Sequence, residues 1–259
     1  MKDLVFTVDV EEWKHAENVR PYIKDEPQYN DFSTIAGLRK ILEFLESRSY
    51  KGTFFFLADL AIKNKTLIRE ISKLGHEIGS HGLDHTLLNN LGDKKTFHDV
   101  NESKKIIEDI TGIEVKGYRS PCFSQNNYLN DALIKSGYLY TSMSIRSSFH
   151  DRYSNNKKDS DLIRDFSLPT VSFGGFNLVC TGGGWFRLYP VEMQKFLLHF
   201  TKSEPNIFYC HPWDFVKNLP GNDIKIPFFK KFRHTINVQR AYLKLTKFDF
   251  TKTTLKDYV

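Results

Sequence analysis

The sequence predicts an α/β protein with a mostly parallel sheet that is either doubly wound or closed into a barrel. Short runs of β-branched and aromatic residues alternate with segments of helical apolar spacing along most of the chain. Side chains capable of chemistry directly follow several predicted strands, which is where ligands bind in both architectures. The 259 residues can bury a full-sized core without disulfides.

The predicted strands are short apolar runs. The first, Leu4–Val10, becomes polar abruptly at Glu11, as a buried strand does where it leaves a sheet. The run GTFFFL at 52–57 is a second buried strand. The other predicted strands span residues 76–80, 115–118, 138–142, 168–171, 176–179 and 207–210.

The predicted helices have an apolar face, and a glycine follows three of them. In 34–48, Leu38, Ile41 and Leu45 lie at helical spacing after a Ser or Thr N-cap. The other predicted helices span residues 65–74, 94–111, 129–136 and 190–201. Residues 146–165 are polar and predict a loop, and no internal repeat or linker divides the chain.

The net charge of +6 is unevenly distributed, because residues 1–215 carry −1 and residues 216–259 carry +7. This asymmetry divides the chain into a near-neutral body over 1–215 and a basic C-terminal extension over 216–259. The modest total does not indicate a nucleic-acid partner, whereas the extension can face an anionic membrane surface or substrate phosphates. Its interleaved aromatic residues indicate that it packs on the body; they are Phe228, Phe229, Phe232, Tyr242 and Phe248.

Cysteine usage and the N-terminal sequence predict a cytoplasmic protein. The three cysteines, Cys122, Cys180 and Cys210, form no C-x-x-C pair, which argues against a disulfide framework and a thiolate zinc site. The first residues lack the apolar run of a secretory signal. No stretch approaches the ~18–20 apolar residues of a membrane span, so we expect at most peripheral contact at the inner membrane face.

A metal site is predicted by His81, His85 and a carboxylate after the first strand. Histidines four apart on one helical turn point the same way and can bind one metal ion. Asp9 and Glu11 share a face if the strand stays extended. Two histidines and one carboxylate leave open positions for water and substrate. The structural alternatives are ordinary hydrogen-bonding histidines and solvated Glu11 and Glu12.

Asp9, Arg119 and His211 complete the predicted constellation. An acid within an apolar strand costs several kcal/mol to bury without a partner. Arg119, which follows the fourth predicted strand, is a suitable partner for Asp9, and His211 follows the last one. Because the carboxyl ends of parallel strands meet at one rim, we expect these side chains to converge.

Four motifs resemble the polysaccharide deacetylase family, also called the NodB-homology domain or carbohydrate esterase family 4. They are TVDVEEW, SHGLDH, GYRSPCFS and FYCHPWDF, beginning at residues 7, 80, 117 and 208. The segments TGGGWFRL and FRHTINVQR, from residues 181 and 232, resemble a subgroup found beside exopolysaccharide and O-antigen assembly genes. The resemblance spans about residues 3–257 and implies a single-domain, distorted (β/α) barrel.

The resemblance implies a metal-dependent hydrolase that removes an N-acetyl group from a sugar in a glycan or glycan precursor. The metal, expected to be Zn²⁺, polarises the acetamide carbonyl and activates a water. The implied substrate is an N-acetylated saccharide. Because the first residues lack a secretory signal, we expect an intracellular substrate, such as a lipid-linked or nucleotide-linked saccharide before export. The implied roles are Asp9 as base, His211 as acid, Arg119 orienting the base, Glu11, His81 and His85 on the metal, the Cys122 N–H as oxyanion donor, and Trp185 and Trp213 against the substrate.

The chain departs from the family pattern at three places. Val10 replaces an aspartate that usually binds the metal, so we assign that contact to Glu11 and keep Glu12 as the alternative. Gly82 removes a supporting hydroxyl, which leaves Asp84 to orient a histidine. Asp214 either tunes His211 or caps the following turn.

The altered first motif keeps two other functions open. One is a metal-independent C–N hydrolase acting on a small cyclic amide or ureide. The other is a non-catalytic glycan-binding relative, which the sequence disfavours because every key residue of the constellation is present.

Overall fold

A computed structural model describes residues 2–23, 32–145, 163–217 and 224–259. Its strands are β1 (Leu4–Val10), β2 (Gly52–Phe56), β3 (Glu77–Ser80), β4 (Gly117–Tyr118), β5 (Tyr140–Thr141), β6 (Arg164–Asp165), β7 (Thr170–Phe173), β8 (Phe176–Val179) and β9 (Asn206–Cys210). Its α-helices are α1 (Phe32–Ser47), α2 (Ala58–Lys63), α3 (Lys65–Lys73), α4 (Asp93–Thr111), α5 (Leu129–Lys135), α6 (Gly183–Leu188), α7 (Val191–Leu198), α8 (Phe228–Thr235) and α9 (Val238–Leu245).

Seven parallel strands form one curled sheet in the order β6-β5-β4-β3-β2-β1-β9. The first strand therefore lies between β2 and β9, and all seven of its residues are buried. Among the described residues β6 and β9 are the two edges, so the barrel is open on one side. The expected single-domain (β/α) barrel is confirmed.

The pair β7 and β8 forms a separate antiparallel hairpin outside this sheet. The sequence predicted both strands but not their isolation from the parallel sheet. The hairpin closes at Gly174 and Gly175, whose φ angles of 55° and 83° suit glycine in a tight turn. Four short helices were not predicted from the sequence: α2, α6, α8 and α9.

The C-terminal segment contributes to the main hydrophobic core. Ala241, Leu245, Phe248 and Phe250 are buried in the same cluster as β1 and β9 residues. The Thr251 N–H donates to the Leu4 carbonyl at 3.0 Å, which ties this segment to the first strand. The division into a body and an extension at residue 215 stays a prediction.

The aromatic residues of α8 do not pack as expected. Phe228, Phe229 and Phe232 are exposed, whereas Phe248 is buried. The expectation that all the interleaved aromatics pack on the body is therefore wrong for these three, because no residue of α8 is buried. Within the described ranges, no helix combines the length and apolar character needed to cross a membrane.

Candidate metal and catalytic site

The chemically capable side chains meet at the carboxyl ends of the parallel strands. Asp9 is the penultimate residue of β1, and Glu11 lies just beyond its end. His81, Arg119 and His211 each follow directly after β3, β4 and β9. The convergence arises because parallel strands present their carboxyl ends at one rim.

A buried carboxylate lies among three imidazoles. Glu11 Oε2 is 2.5 Å from His85 Nε2 and 3.7 Å from His81 Nε2, and its Oε1 is 3.4 Å from His211 Nε2. The ligand atoms of Glu11, His81 and His85 all lie within 4.8 Å of one another. Glu12 instead faces Lys14, at 3.0 Å between Oε2 and Nζ.

His81 and His85 converge through a loop, and the predicted helical turn is wrong. Residues 81–85 form no helix; Gly82 and His85 have φ angles of 86° and 66°. A Cβ at Gly82 would lie 3.0 Å from Asp99 Oδ1, so both the backbone conformation and the close approach favour glycine here. The Leu83 N–H donates to Asp99 Oδ2 at 3.2 Å, and this hydrogen bond fixes the loop to Asp99.

The two histidines of this cluster are oriented by different neighbours. His81 Nδ1 contacts the Arg119 carbonyl oxygen at 2.7 Å, which leaves Nε2 for the cluster. The His85 ring stacks on His15, with 5.6 Å between centroids and 13° between planes. Asp84 orients neither histidine; it is exposed and accepts hydrogen bonds from Thr86. That expectation is wrong because the loop directs Asp84 outward.

The charges of this cluster suit a divalent cation. Burial would raise the pKa of Glu11, but the charge of His85 and hydrogen bonds from His81 and His85 hold that pKa well below its ordinary value. Burial would lower the pKa of His85, yet Glu11 holds it well above 6.5. A buried carboxylate needs a positive charge nearby. Together with two imidazoles, it forms a ligand set that fits a zinc-type ion with open coordination positions.

Asp9 and Arg119 form a buried ion pair beside this cluster. Arg119 Nη1 donates to Asp9 Oδ1 at 2.6 Å and to Thr7 Oγ1 at 2.9 Å. Ser142 accepts hydrogen bonds from the other two guanidinium nitrogens. Nε donates to its carbonyl oxygen at 3.0 Å, and Nη2 donates to its Oγ at 2.7 Å. Arg119 is fully buried, and its guanidinium donors lie in one plane. This arrangement fixes the carboxylate of Asp9 in one orientation.

His211 is held by Asp214, which in turn faces Arg187. Asp214 Oδ2 lies 3.1 Å from His211 Nδ1 and accepts from the His211 backbone N–H at 2.8 Å. Asp214 thus both caps the turn and contacts the imidazole. Its Oδ1 lies 2.9 Å from Arg187 Nε, and both side chains are buried. Burial alone would lower the pKa of His211, but Asp214, Glu11 and Asp9 raise it above 6.5.

An open pocket over this cluster contains the predicted substrate residues. Trp185, Trp213 and Cys122 all line it. The Trp213 ring stacks on His211 at 4.4 Å and 7°, so it supports the imidazole and is itself only 2 % exposed. Cys122 adopts a left-handed φ of 51°.

The sequence did not single out three residues that contribute to the site. They are His15, which lies outside all the motifs, and Arg187 and His234, which the sequence indicates only as members of the TGGGWFRL and FRHTINVQR segments. Loss of contact with water, followed by nearby positive charges, lowers the pKa of the buried His15 and of the half-buried His234 to about 3, so both imidazoles are neutral. His234 lines the pocket. The sequence indicates Arg187 only as an arginine near the end of a Gly-rich helix. The ion pair itself could not be inferred, because the acidic partner of Arg187 lies on another element.

Two family profiles together cover most of the chain. Residues 30–141 match the polysaccharide deacetylase family, and residues 139–259 match a domain of unknown function, DUF3473. Residues 30–141 therefore carry a polysaccharide deacetylase domain. Asp9 and Glu11 precede both matched ranges, so their assignment depends on the geometry described above.

Two of the similar curated proteins are named as peptidoglycan deacetylases. A peptidoglycan-N-acetylglucosamine deacetylase of Bacillus cereus is 31% identical over 96 residues, covering 37% of this chain and 43% of the relative. A peptidoglycan deacetylase of Helicobacter pylori is 25% identical over 183 residues, covering 68% and 61%. The chain thus spans less than two thirds of the length of either relative.

Solved structures of the same family share the fold. A candidate polysaccharide deacetylase from Mycobacterium smegmatis superposes with a TM-score of 0.58 and 17% identity, over 98% of this chain and 87% of that one. A CE4 family pseudoenzyme from Bacillus anthracis gives 0.53 and 14%, over 99% and 64%. Since this fold includes a pseudoenzyme, only the site can decide whether catalysis occurs.

Proposed function

We propose that the protein is a metal-dependent deacetylase of an N-acetylated saccharide. The observation that carries this proposal is the buried set of Glu11, His81 and His85, which faces the pocket together with Asp9 and His211. The residues named in the family motifs are thus present as an assembled constellation and not as scattered matches. The deacetylase names of the relatives support the same reaction.

The two halves of the reaction fall to residues on opposite sides of the cluster. When bound, the divalent ion, proposed to be Zn²⁺, would polarise the acetamide carbonyl and acidify a water. Asp9, fixed by Arg119, takes the proton of that water as its oxygen attacks the carbonyl carbon. The Cys122 N–H is the proposed donor to the developing oxyanion.

His211 completes the reaction as the acid. Its Nδ1 faces Asp214, so its Nε2 is the atom directed toward the cluster. As the C–N bond breaks, Nε2 gives its proton to the departing amine of the sugar. A raised pKa keeps His211 protonated near neutral pH, as an acid requires.

The proposed substrate is a saccharide carried on a lipid or a nucleotide. Trp185, half-buried at the pocket, offers a ring face for a sugar, and Trp213 supports the acid. We place the protein in the cytoplasm. A metal-free hydrolase of ureides and a non-catalytic glycan binder are the competing functions.

Replacing each candidate carboxylate separately tests the metal-dependent mechanism. Glu11→Gln is expected to lose the bound ion and at least about 100-fold in kcat, because it removes a ligand charge. Glu12→Gln, a matched change one residue away, is expected to keep both. Metal content by elemental analysis and acetate release from an N-acetylglucosamine oligosaccharide are the measurements.

The same experiment separates the competing functions. Full activity after exhaustive chelation would contradict the metal-dependent mechanism. Turnover of allantoin-type ureides, with none on acetylated sugars, would establish the second function. Glycan binding with a bound metal and no turnover of either substrate class would establish the third.

A further inference from the structure

Helix α8 presents an exposed aromatic patch, which we define as Phe228, Phe229 and Phe232. These side chains are 74%, 79% and 46% exposed, and no residue of α8 is buried. Their rings contact one another, with centroids 5.6 Å apart for Phe228 and Phe229 and 6.2 Å for Phe228 and Phe232. Contiguous exposed rings are costly in water and mark an interaction surface.

The charged residues of the chain segment that contains the α8 patch are all basic. Residues 224–248 contain seven Lys or Arg residues and no Asp or Glu. Within α8 itself, Lys230, Lys231 and Arg233 alternate with the phenylalanines. Such a segment repels other cations and attracts a surface of high negative charge density.

Aromatic rings beside clustered cations fit an anionic lipid surface better than an acidic protein. The rings bury at the level of the lipid headgroups, while Lys and Arg meet lipid phosphates. The short α8 can lie in the plane of the interface with its rings inserted. This mode of contact requires no membrane-spanning helix.

The C-terminal end of α8 is fixed to the proposed catalytic centre. Arg187 Nη2 donates to the Arg233 carbonyl oxygen at 3.1 Å, and Nη1 donates to the His234 carbonyl oxygen. Arg187 also pairs with Asp214, the partner of His211. Phe232, Arg233 and His234 line the pocket, so the patch and the pocket wall are parts of one helix.

We propose that α8 docks on an anionic phospholipid bilayer and holds the mouth of the pocket at the lipid interface. Phe228 and Phe229 insert between headgroups, and the basic residues of 224–248 supply the electrostatic attraction. The orientation suits a saccharide attached to a lipid. The fit to a lipid-attached saccharide rests on the proposed function, whereas bilayer docking does not.

Vesicle co-sedimentation of the full chain tests the docking. We expect binding to vesicles of phosphatidylcholine with about 30% phosphatidylglycerol, and at least about tenfold weaker binding to phosphatidylcholine alone. Raising the salt from about 0.05 to 0.5 M should weaken binding severalfold, because screening reaches the exposed cations. The double variant Phe228→Ser, Phe229→Ser should bind at least about tenfold more weakly.

A matched control replaces two exposed phenylalanines elsewhere. Phe173 and Phe176, at the tip of the β7–β8 hairpin, are 78% and 56% exposed but have no Lys or Arg among residues 165–186. Phe173→Ser, Phe176→Ser should keep wild-type binding within about twofold. Both variants should keep wild-type activity on a soluble acetylated oligosaccharide, since neither pair lines the pocket.

Three results would overturn the proposal: no binding of the wild type to anionic vesicles, undiminished binding of the α8 variant, or an equal loss in the hairpin variant. A protein that binds vesicles but lacks deacetylase activity would contradict the proposed function and leave the docking intact. An active protein that does not bind vesicles would contradict the docking and leave the proposed function intact.

Discussion

At the scale of single residues, each buried charge of the site is matched by an opposite one. Asp9 faces Arg119, and Asp214 faces Arg187. The first pair was predictable from the sequence, because an acid inside an apolar strand requires a cation. The second pair was not, because neither the spacing nor the composition of 181–188 indicates which acidic residue Arg187 meets.

Arg187→Met is expected to destabilise the protein and to impair His211. Removing the cation leaves the carboxylate of Asp214 buried without compensation, which costs about 3–5 kcal/mol in the free energy of unfolding. The double variant Arg187→Met, Asp214→Asn should recover most of that stability while kcat stays low, because the imidazole still lacks its carboxylate. Urea unfolding and acetate release give both quantities; wild-type stability in Arg187→Met would contradict the role of the pair.

At the scale of elements, the turn carrying His211 is positioned by a helix at the other end of the sequence. Pro212 of this turn lies against Gly37 of α1, where a Cβ would be 1.9 Å from the Pro212 carbonyl oxygen. The sequence predicted α1 and β9 but not the contact of α1 with the turn that follows β9. It likewise predicted that His81 and His85 converge but gave the wrong local geometry, since the loop depends on Gly82 and on Asp99 from α4.

Gly37→Ala is expected to separate α1 from the His211 turn. The added methyl group overpacks a backbone contact that no side-chain rotation can relieve, at a cost of about 3 kcal/mol in stability and with reduced kcat. Gly92→Ala is the control, because a Cβ there meets nothing within 4 Å; we expect a cost of at most about 1 kcal/mol. Thermal unfolding measures both, and an equal melting temperature for the two variants would refute the packing argument.

At the scale of the whole molecule, periodicity was sufficient to predict the parallel sheet and the rim of the site. Residues 139–259 were harder to predict, because they combine an isolated hairpin with short helices. The sequence does not indicate which of their aromatic residues are buried: Phe248 lies in the core, whereas Phe229 is exposed to solvent. Burial of that kind is decided by neighbours distant in sequence.

The stability of the whole fold should decrease as the pH falls from about 7 to 5, in part through His76. Burial, and then the charge of Lys51, lowers the pKa of His76 to about 4, and its Nδ1 accepts from the Gly52 N–H at 3.2 Å. The unfolded chain protonates this ring near its ordinary value of 6.5. The unfolded state therefore binds more protons between these values, and stability present above 6.5 is lost as the pH approaches 4.

The variant His76→Asn isolates this contribution, because Asn keeps an acceptor and cannot be protonated. Asp99 acts in the opposite direction, since burial raises its pKa to about 6, so the difference between the two proteins is the informative quantity. The wild type should lose more free energy of unfolding than the variant over this range. Parallel pH profiles in urea titrations would show that His76 is uncoupled from folding.

The position of β1 between β2 and β9 sets an order of events during biosynthesis. The ribosome produces β1 before β2, yet its second neighbour, Asn206–Cys210, is synthesised only after β2–β8. Until then a strand whose seven residues are all buried in the finished protein has one open edge. The nascent chain should therefore require protection by a chaperone until β9 has emerged, and the proposed acid His211 joins Asp9 only after that strand has been synthesised.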